Sequence, residues 1–263
     1  MLAEKKKRLE AIISRTGRAA VACSGGVDST LLLKIAHDIL GHDNTIAVFA
    51  DTPLLPDGET EMVLDVVNSV GSRMLTVRLN PLIWHDFTRN PRERCYLCKK
   101  KIYLAFLDKL KELHFARLMD GTNLDDLSDF RPGLKALQEL NVITPLADAG
   151  LSKNEIRQIS RNLNLPNWDK YSSSCLATRV ATGEQISAEK LEVIKKCENF
   201  LQDLKFFGCR VRLAENSAFI EILESDINRF VKKEIRSLIF KKFNDFNIKK
   251  VFIDLCCRKG IST

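Results

Sequence analysis

Apolar residues recur along the chain in two alternating rhythms. Residues 3–15 read as a lysine-rich amphipathic helix, and Arg18–Cys23 (RAAVAC) as a short strand of small apolar residues running into Ser24-Gly25-Gly26. Asp28–Leu40 then takes up helical periodicity. The alternation repeats with strand Thr45–Ala50, helix 57–71, strand Arg73–Leu79, helix Lys99–Leu113 and strand Ala116–Asp120. This order predicts an α/β fold, a doubly wound parallel sheet with right-handed crossovers. Such sheets bind ligands at the carboxyl ends of their strands, where Ser24–Ser29, Asp51 and Gly121–Asn123 all fall. One more helix is predicted over 152–163, opened by Ser152 and Glu155 at capping-box spacing.

After Ser187 the order changes to a helix at 187–204, strands Arg210–Leu213 and Phe219–Leu223, a helix at 225–246 and a closing strand Lys250–Leu255. That is the pattern of a second, smaller α+β domain. The expected division is 1–178 and 179–263. Neither part holds a run near the ~18 apolar residues of a membrane helix. Arg15 and Arg18 break any signal-like segment after Lys5–Arg8, so a cytoplasmic protein is expected.

Charge and cysteines narrow the picture. The net charge is +7, and residues 175–263 carry +5 of it, with 17 basic against 12 acidic side chains. The excess suits an anionic ligand such as a nucleotide, or a solvated basic face. Eight cysteines in a reducing compartment read as thiols or metal ligands, not as four disulfides. Cys23, Cys197, Cys209, Cys256 and Cys257 read as packing residues. Cys95-Tyr96-Leu97-Cys98 lies between Pro91 and the helix expected at Lys99, with Arg94, Lys99 and Lys100 beside it in a cationic setting that favours thiolates. One CxxC supplies two ligands, so a metal site needs more donors. Zinc completed by His114 or an acid, and a redox disulfide, are both open on these residues alone.

Ser24-Gly25-Gly26-Val27-Asp28-Ser29 joins the first strand to its helix. The glycines let the backbone approach an anion, and the N–H groups at the helix start form a phosphate cradle. Ser24 and Ser29 add hydroxyls, while Asp28 can orient the loop or help to hold Mg²⁺. The loop fits neither G-x-x-x-x-G-K-[ST] nor G-x-G-x-x-G. It is similar to the SGGxDS signature of the PP-loop ATP pyrophosphatases.

Four further segments sharpen the resemblance: Gly121–Asp126 continuing to Asp129–Gly133 and Ala136; Cys175-Leu176-Ala177-Thr178-Arg179; Arg210-Val211-Arg212 with Phe219–Ile222; and Val251–Leu255 with Arg258–Gly260. From about residue 15 to 260 the chain resembles the LarE-type ATP-dependent sulfur transferases of nickel-pincer cofactor synthesis. Having all three of Cys95, Cys98 and Cys175, it resembles their iron–sulfur-dependent variety.

The resemblance implies adenylation of a carboxylate on a pyridinium dicarboxylate mononucleotide, then its conversion to a thiocarboxylate with release of AMP. It implies ATP contacts from Ser24, Gly25, Gly26, Asp28, Ser29, Asp51, Gly121, Thr122 and Asn123. Arg210 and Arg212, with Glu221 beside them, would hold the substrate phosphate. Asp28 and Cys175 would be catalytic, and Cys95, Cys98 and Cys175 would ligate a 4Fe–4S cluster whose open iron takes sulfide from an external source. The implied cofactors are ATP, Mg²⁺ and that cluster. A sacrificial Cys175 and a cluster-dependent tRNA thiolase are the alternatives. A nucleic-acid partner would call for an added RNA-binding module and a stronger basic surface, neither of which is evident. A homo-oligomer without membrane contact is expected.

Overall fold

A computed structural model describes residues 2–128, 131–171, 173–256 and 258. Asp129, Phe130, Cys257, Lys259 and Gly260, quoted above, lie outside the described residues. The chain forms two compact units. One comprises residues 1–52, 58–80 and 93–170, the other 53–57, 81–92 and 171–263.

The first unit is built on four parallel strands: β1 (Ala19–Ala22), β2 (Thr45–Asp51), β3 (Arg73–Arg78) and β4 (Arg117–Asp120), in the order β3-β2-β1-β4. Central β1 pairs with β2 on one side and β4 on the other, Ala22 lying opposite both Val48 and Asp120. All four residues of β1 are buried, as a strand covered on both faces requires. Helices α1 (Leu2–Ser14), α2 (Val27–Leu40), α3 (Glu59–Val70) and α4 (Arg94–Glu112) carry the crossovers and the amino terminus. Ala20, Ala22, Ile46, Val48 and Val77 pack with Tyr103, Phe106, Leu110 and Leu118 in one apolar cluster. The predicted α/β class and parallel sheet hold.

Two helical features depart from the sequence expectation. Helix α4 begins at Arg94, not Lys99, so the CxxC is helical. Its buried apolar stripe starts late, at Tyr103, which is why the first turns escape the periodicity. A further helix, α5 (Gly133–Glu139), buries Ala136 and Leu137. Its single apolar turn follows a Pro-Gly pair that reads as loop. Helix α6 (Lys153–Asn162) opens with the predicted reciprocal cap between Ser152 and Glu155.

The second unit holds helix α7 (Ala188–Asp203) against a mixed sheet. In it β5 (Arg210–Ala214) and β6 (Ser217–Glu221) are antiparallel, and β7 (Lys250–Ile253) pairs parallel to β6. The α+β character holds here too. The helix expected over 225–246 is broken into Ile227–Phe230 and α8 (Lys233–Asp245). The chain leaves the helical conformation at Lys232, the extended N-cap of α8, while the Arg229 guanidinium caps the end of α7 at Leu204 O (2.6 Å) and Lys205 O (2.7 Å) and lies 3.7 Å over the Phe206 ring. Among the described residues, no helix is long and apolar enough to cross a membrane.

Candidate functional site

The six-residue loop leaves β1 and enters α2 with Gly25 at φ +68° and Gly26 as the helix N-cap. A Cβ at Gly25 would lie 2.7–2.8 Å from Met62 and Val63 of α3, so glycine is required there by both conformation and space. The hydroxyls close the turn on itself. Ser29 Oγ donates to Gly26 O (3.1 Å) and accepts from Ser24 N (3.2 Å). Ser24 is exposed and Asp28 half-buried, which leaves the mouth of the loop open to a ligand.

Three side chains outside the motif fix this loop. Buried Asn167 donates from Nδ2 to Gly25 O (2.9 Å) and to Thr30 Oγ1 (2.8 Å). Lys153, at the first position of α6, forms an ion pair with Asp28, and Asn123 Nδ2 donates to the other oxygen of the same carboxylate (3.3 Å). Asp28 therefore orients the loop through a lysine and an amide. Neither Lys153 nor Asn167 carries a sequence signal, because each reaches the loop only through the fold.

The turn after β4 meets the loop from the other side. A Cβ on Gly121 would come within 2.9 Å of Ser29 N, a backbone atom that cannot swing away. Gly121→Ala is therefore expected to overpack the junction, at about 1–3 kcal/mol of stability, and to displace the start of α2. Thermal unfolding and the KM for ATP check this together: both should worsen, the KM by roughly tenfold or more.

Just before that turn, buried Asp120 accepts from Thr122 N (2.8 Å), the Thr122 hydroxyl, the Tyr103 hydroxyl and Lys99 Nζ (3.1 Å). Burial pushes the Asp120 carboxyl upward, but Lys99 and these donors outweigh it and hold it below the usual carboxylate range. Burial and the neighbouring Asp120 push Tyr103 well above its ordinary value. Asp126 lies close by. Its Oδ2 accepts from Asn123 N (3.1 Å) and its Oδ1 pairs with Arg131 (2.8 Å), while Asp125 Oδ2 accepts from Lys153 N (2.9 Å). Burial foremost raises the Asp126 carboxyl. This acidic stretch is thus tied into the loop network. Asp51 ends β2 half-buried, beside Thr60 (3.5 Å) and Arg78 (3.6 Å).

Cys95 and Cys98 occupy the first turns of α4, three residues apart and so on one side of the helix. Cys95 is exposed and Cys98 half-buried. The cations beside them are engaged elsewhere, Lys99 with Asp120 and Lys100 with Glu139 (2.7 Å). Cys23, Cys197 and Cys209 are buried as expected, whereas Cys256 is exposed. Among the described residues, no three His, Cys, Asp or Glu side chains are grouped as a metal site.

In the second unit, half-buried Cys175 caps a short turn, Leu176–Arg179, anchored by Leu176 N donating to Leu54 O (2.8 Å). Arg179 is buried. Its Nη1 donates to Ser174 O (3.1 Å), Cys175 O (3.4 Å) and Thr178 Oγ1 (2.9 Å), and its Nε pairs with buried Glu198 (3.0 Å). Arg212 bonds Thr178 O (2.7 Å) and pairs with Glu221. Arg210 and Arg212 share one face of β5, opposite buried Val211 and Leu213, as the alternation predicts. Arg258 donates to Gly208 O. Burial first, then Arg258 and Arg179, pulls Arg210 down to about 10. Four guanidiniums thus face two carboxylates, and the surplus of positive charge suits an anion.

No family model matches the chain. Curated relatives do. A pyridinium-3,5-bisthiocarboxylic acid mononucleotide synthase of Lactiplantibacillus plantarum is 32% identical over 246 residues, 91% of this chain and 89% of the relative. The chain belongs to the LarE-type synthase family. Two uncharacterized proteins are similar over comparable spans: one from Synechocystis, 37% identical over 97% of this chain and 95% of its own, and one from Methanocaldococcus jannaschii, 33% identical over 89% and 88%. A glutamine-hydrolyzing GMP synthase subunit of Archaeoglobus fulgidus is 28% identical over 72% of this chain and 65% of its own. This LarE-type chain is accordingly an ATP-using PP-loop enzyme with the α/β fold described above.

Proposed function

We propose that the chain is an AMP- and pyrophosphate-forming sulfurtransferase that turns a carboxylate of a pyridinium dicarboxylate mononucleotide into a thiocarboxylate. The observation that carries this reading is the second unit's pairing of a thiol with an anion site: Arg179 holds the Cys175 turn and stands within the four-guanidinium cluster.

The first half of the reaction belongs to the PP-loop. A substrate carboxylate oxygen attacks the α-phosphorus of MgATP, and the bond to pyrophosphate breaks. The loop N–H groups and the hydroxyls of Ser24 and Ser29 are placed to take up charge on the leaving pyrophosphate. Asp28, held by Lys153 and Asn123, keeps the loop in register. The turn Gly121–Asn123 and Asp51 would border the nucleotide. In the second half a sulfur nucleophile adds to the acyl adenylate carbonyl, and the acyl–oxygen bond to AMP breaks.

Cys95, Cys98 and Cys175 suit a 4Fe–4S cluster by donor chemistry, being three soft thiols with one pair spaced along a single helix face. When bound, such a cluster supplies a deprotonated sulfide that spares the cysteine side chains. Arg210 and Arg212, with Glu221 setting the Arg212 fork, would hold the substrate phosphate. Arg212→Ala is then expected to raise the substrate KM by about tenfold to a hundredfold with the ATP KM nearly unchanged. Steady-state kinetics varying each substrate in turn tests it. Equal weakening of ATP would move these arginines to the nucleotide, and no change would leave them a solvated face.

A further inference from the structure

Asp120 stands at the end of β4 facing the PP-loop, yet its oxygens are already used by the chain itself. Oδ1 takes both donors of Thr122, and Oδ2 takes the Tyr103 hydroxyl and Lys99 Nζ. The carboxylate is buried, and the Lys99 ammonium lies 5.1 Å over the Tyr103 ring. We infer that Asp120 is a positioning residue that, through Lys99 and Tyr103 of α4, sets the Gly121–Asn123 turn against the PP-loop.

The turn has little freedom to be set otherwise. Gly121 is packed on the Ser29 backbone, Thr122 O accepts from Ala147 N (3.1 Å), and Asn123 reaches the Asp28 carboxylate. A chain of contacts therefore runs from α4 through Asp120, Thr122 and Asn123 to Asp28. Because Lys99 follows Cys98 directly, the helix bearing the CxxC and the nucleotide turn share one ion pair, in which the lysine is half-buried and the carboxylate buried. The other charged groups around this chain are Lys153 on Asp28 and Asp126 with Arg131. All lie on the Asp28 side, and Lys99 is the cation that pairs with Asp120 among the described residues. Removing the lysine would leave a buried carboxylate short of its counter-charge, and the turn would rearrange to resolve it.

This inference rests on the nucleotide being bound at the PP-loop, as proposed above. Its test is the kinetics of pyrophosphate release by Lys99→Met, Asp120→Asn and Tyr103→Phe, with Lys99→Arg as the conservative control. Each of the three is expected to raise the KM for ATP by roughly tenfold, the loss expected for one hydrogen bond to a charged group, with the substrate KM unmoved. Lys99→Arg should recover most of the loss. Lys99→Met combined with Tyr103→Phe should cost less than the product of the two, because both act through Asp120.

Tyr103 is buried and cannot touch ATP, so a silent Tyr103→Phe beside an impaired Lys99→Met would make Lys99 a direct phosphate ligand and overturn the inference. Lowered melting temperatures with unchanged KM values would make the cluster merely structural, and would overturn it too. A wild-type protein that does not bind MgATP would instead refute the underlying reading.

Discussion

Asp28→Ala is expected to leave the fold intact and cut pyrophosphate release by roughly 10²–10³-fold, on the order of 2–4 kcal/mol of transition-state stabilisation. The size follows from what Asp28 does. Its two oxygens bind Lys153 and Asn123, so its loss frees the start of α2 from α6 and from the turn after β4 together. It also leaves a lysine unpaired beside the loop that receives the pyrophosphate. Asp28→Asn keeps the shape and removes the charge, and should retain more activity than alanine but less than wild type. Circular dichroism confirms the fold, and a pyrophosphate-release assay reads the effect. Near-normal release by Asp28→Ala would remove this residue from the reaction.

Substitution of the cysteines has the second large effect, and it separates two sulfur sources. Cys175→Ala should abolish sulfur transfer while pyrophosphate release with substrate continues, because the thiol and the PP-loop serve different half-reactions. With a cluster as the sulfide carrier, Cys95→Ala and Cys98→Ala lose iron and sulfur transfer together, and the wild type turns over repeatedly with added sulfide. With Cys175 as its own sulfur donor, turnover stops at one. The protein then loses about 34 Da as Cys175 becomes dehydroalanine, and the Cys95 and Cys98 variants stay active. Intact-protein mass and iron content, measured on the same samples, distinguish the two.

Much of this architecture is legible in the residues. The alternation of strands and helices places β1 to β4 within a residue or two of their observed bounds, and Ser152 with Glu155 marks the start of α6. The loop glycines are legible because Gly25 needs a conformation that other residues resist. What escapes is of two kinds. Helical turns that bury no apolar residue give no clear period, so the first turns of α4, and the CxxC with them, read as loop. Long-range polar contacts leave no trace either. Asn167 reaches Gly25 across 142 residues and Lys153 reaches Asp28 across 125, and nothing local to either marks the partner. Arg229 is the same case in the second unit, reaching the carbonyls at the end of α7 from 25 and 24 residues away.

Under the proposed function, ATP is spent to exchange carboxylate oxygen for sulfur on a pyridinium mononucleotide. Mass spectrometry of that small molecule, after anaerobic incubation of the purified protein with MgATP, sulfide and pyridinium-3,5-dicarboxylic acid mononucleotide, tests it most directly. The expected product is heavier by the difference between sulfur and oxygen, with one AMP and one pyrophosphate formed for each exchange. An unchanged mononucleotide with ATP intact, or sulfur appearing in added tRNA instead, would contradict it.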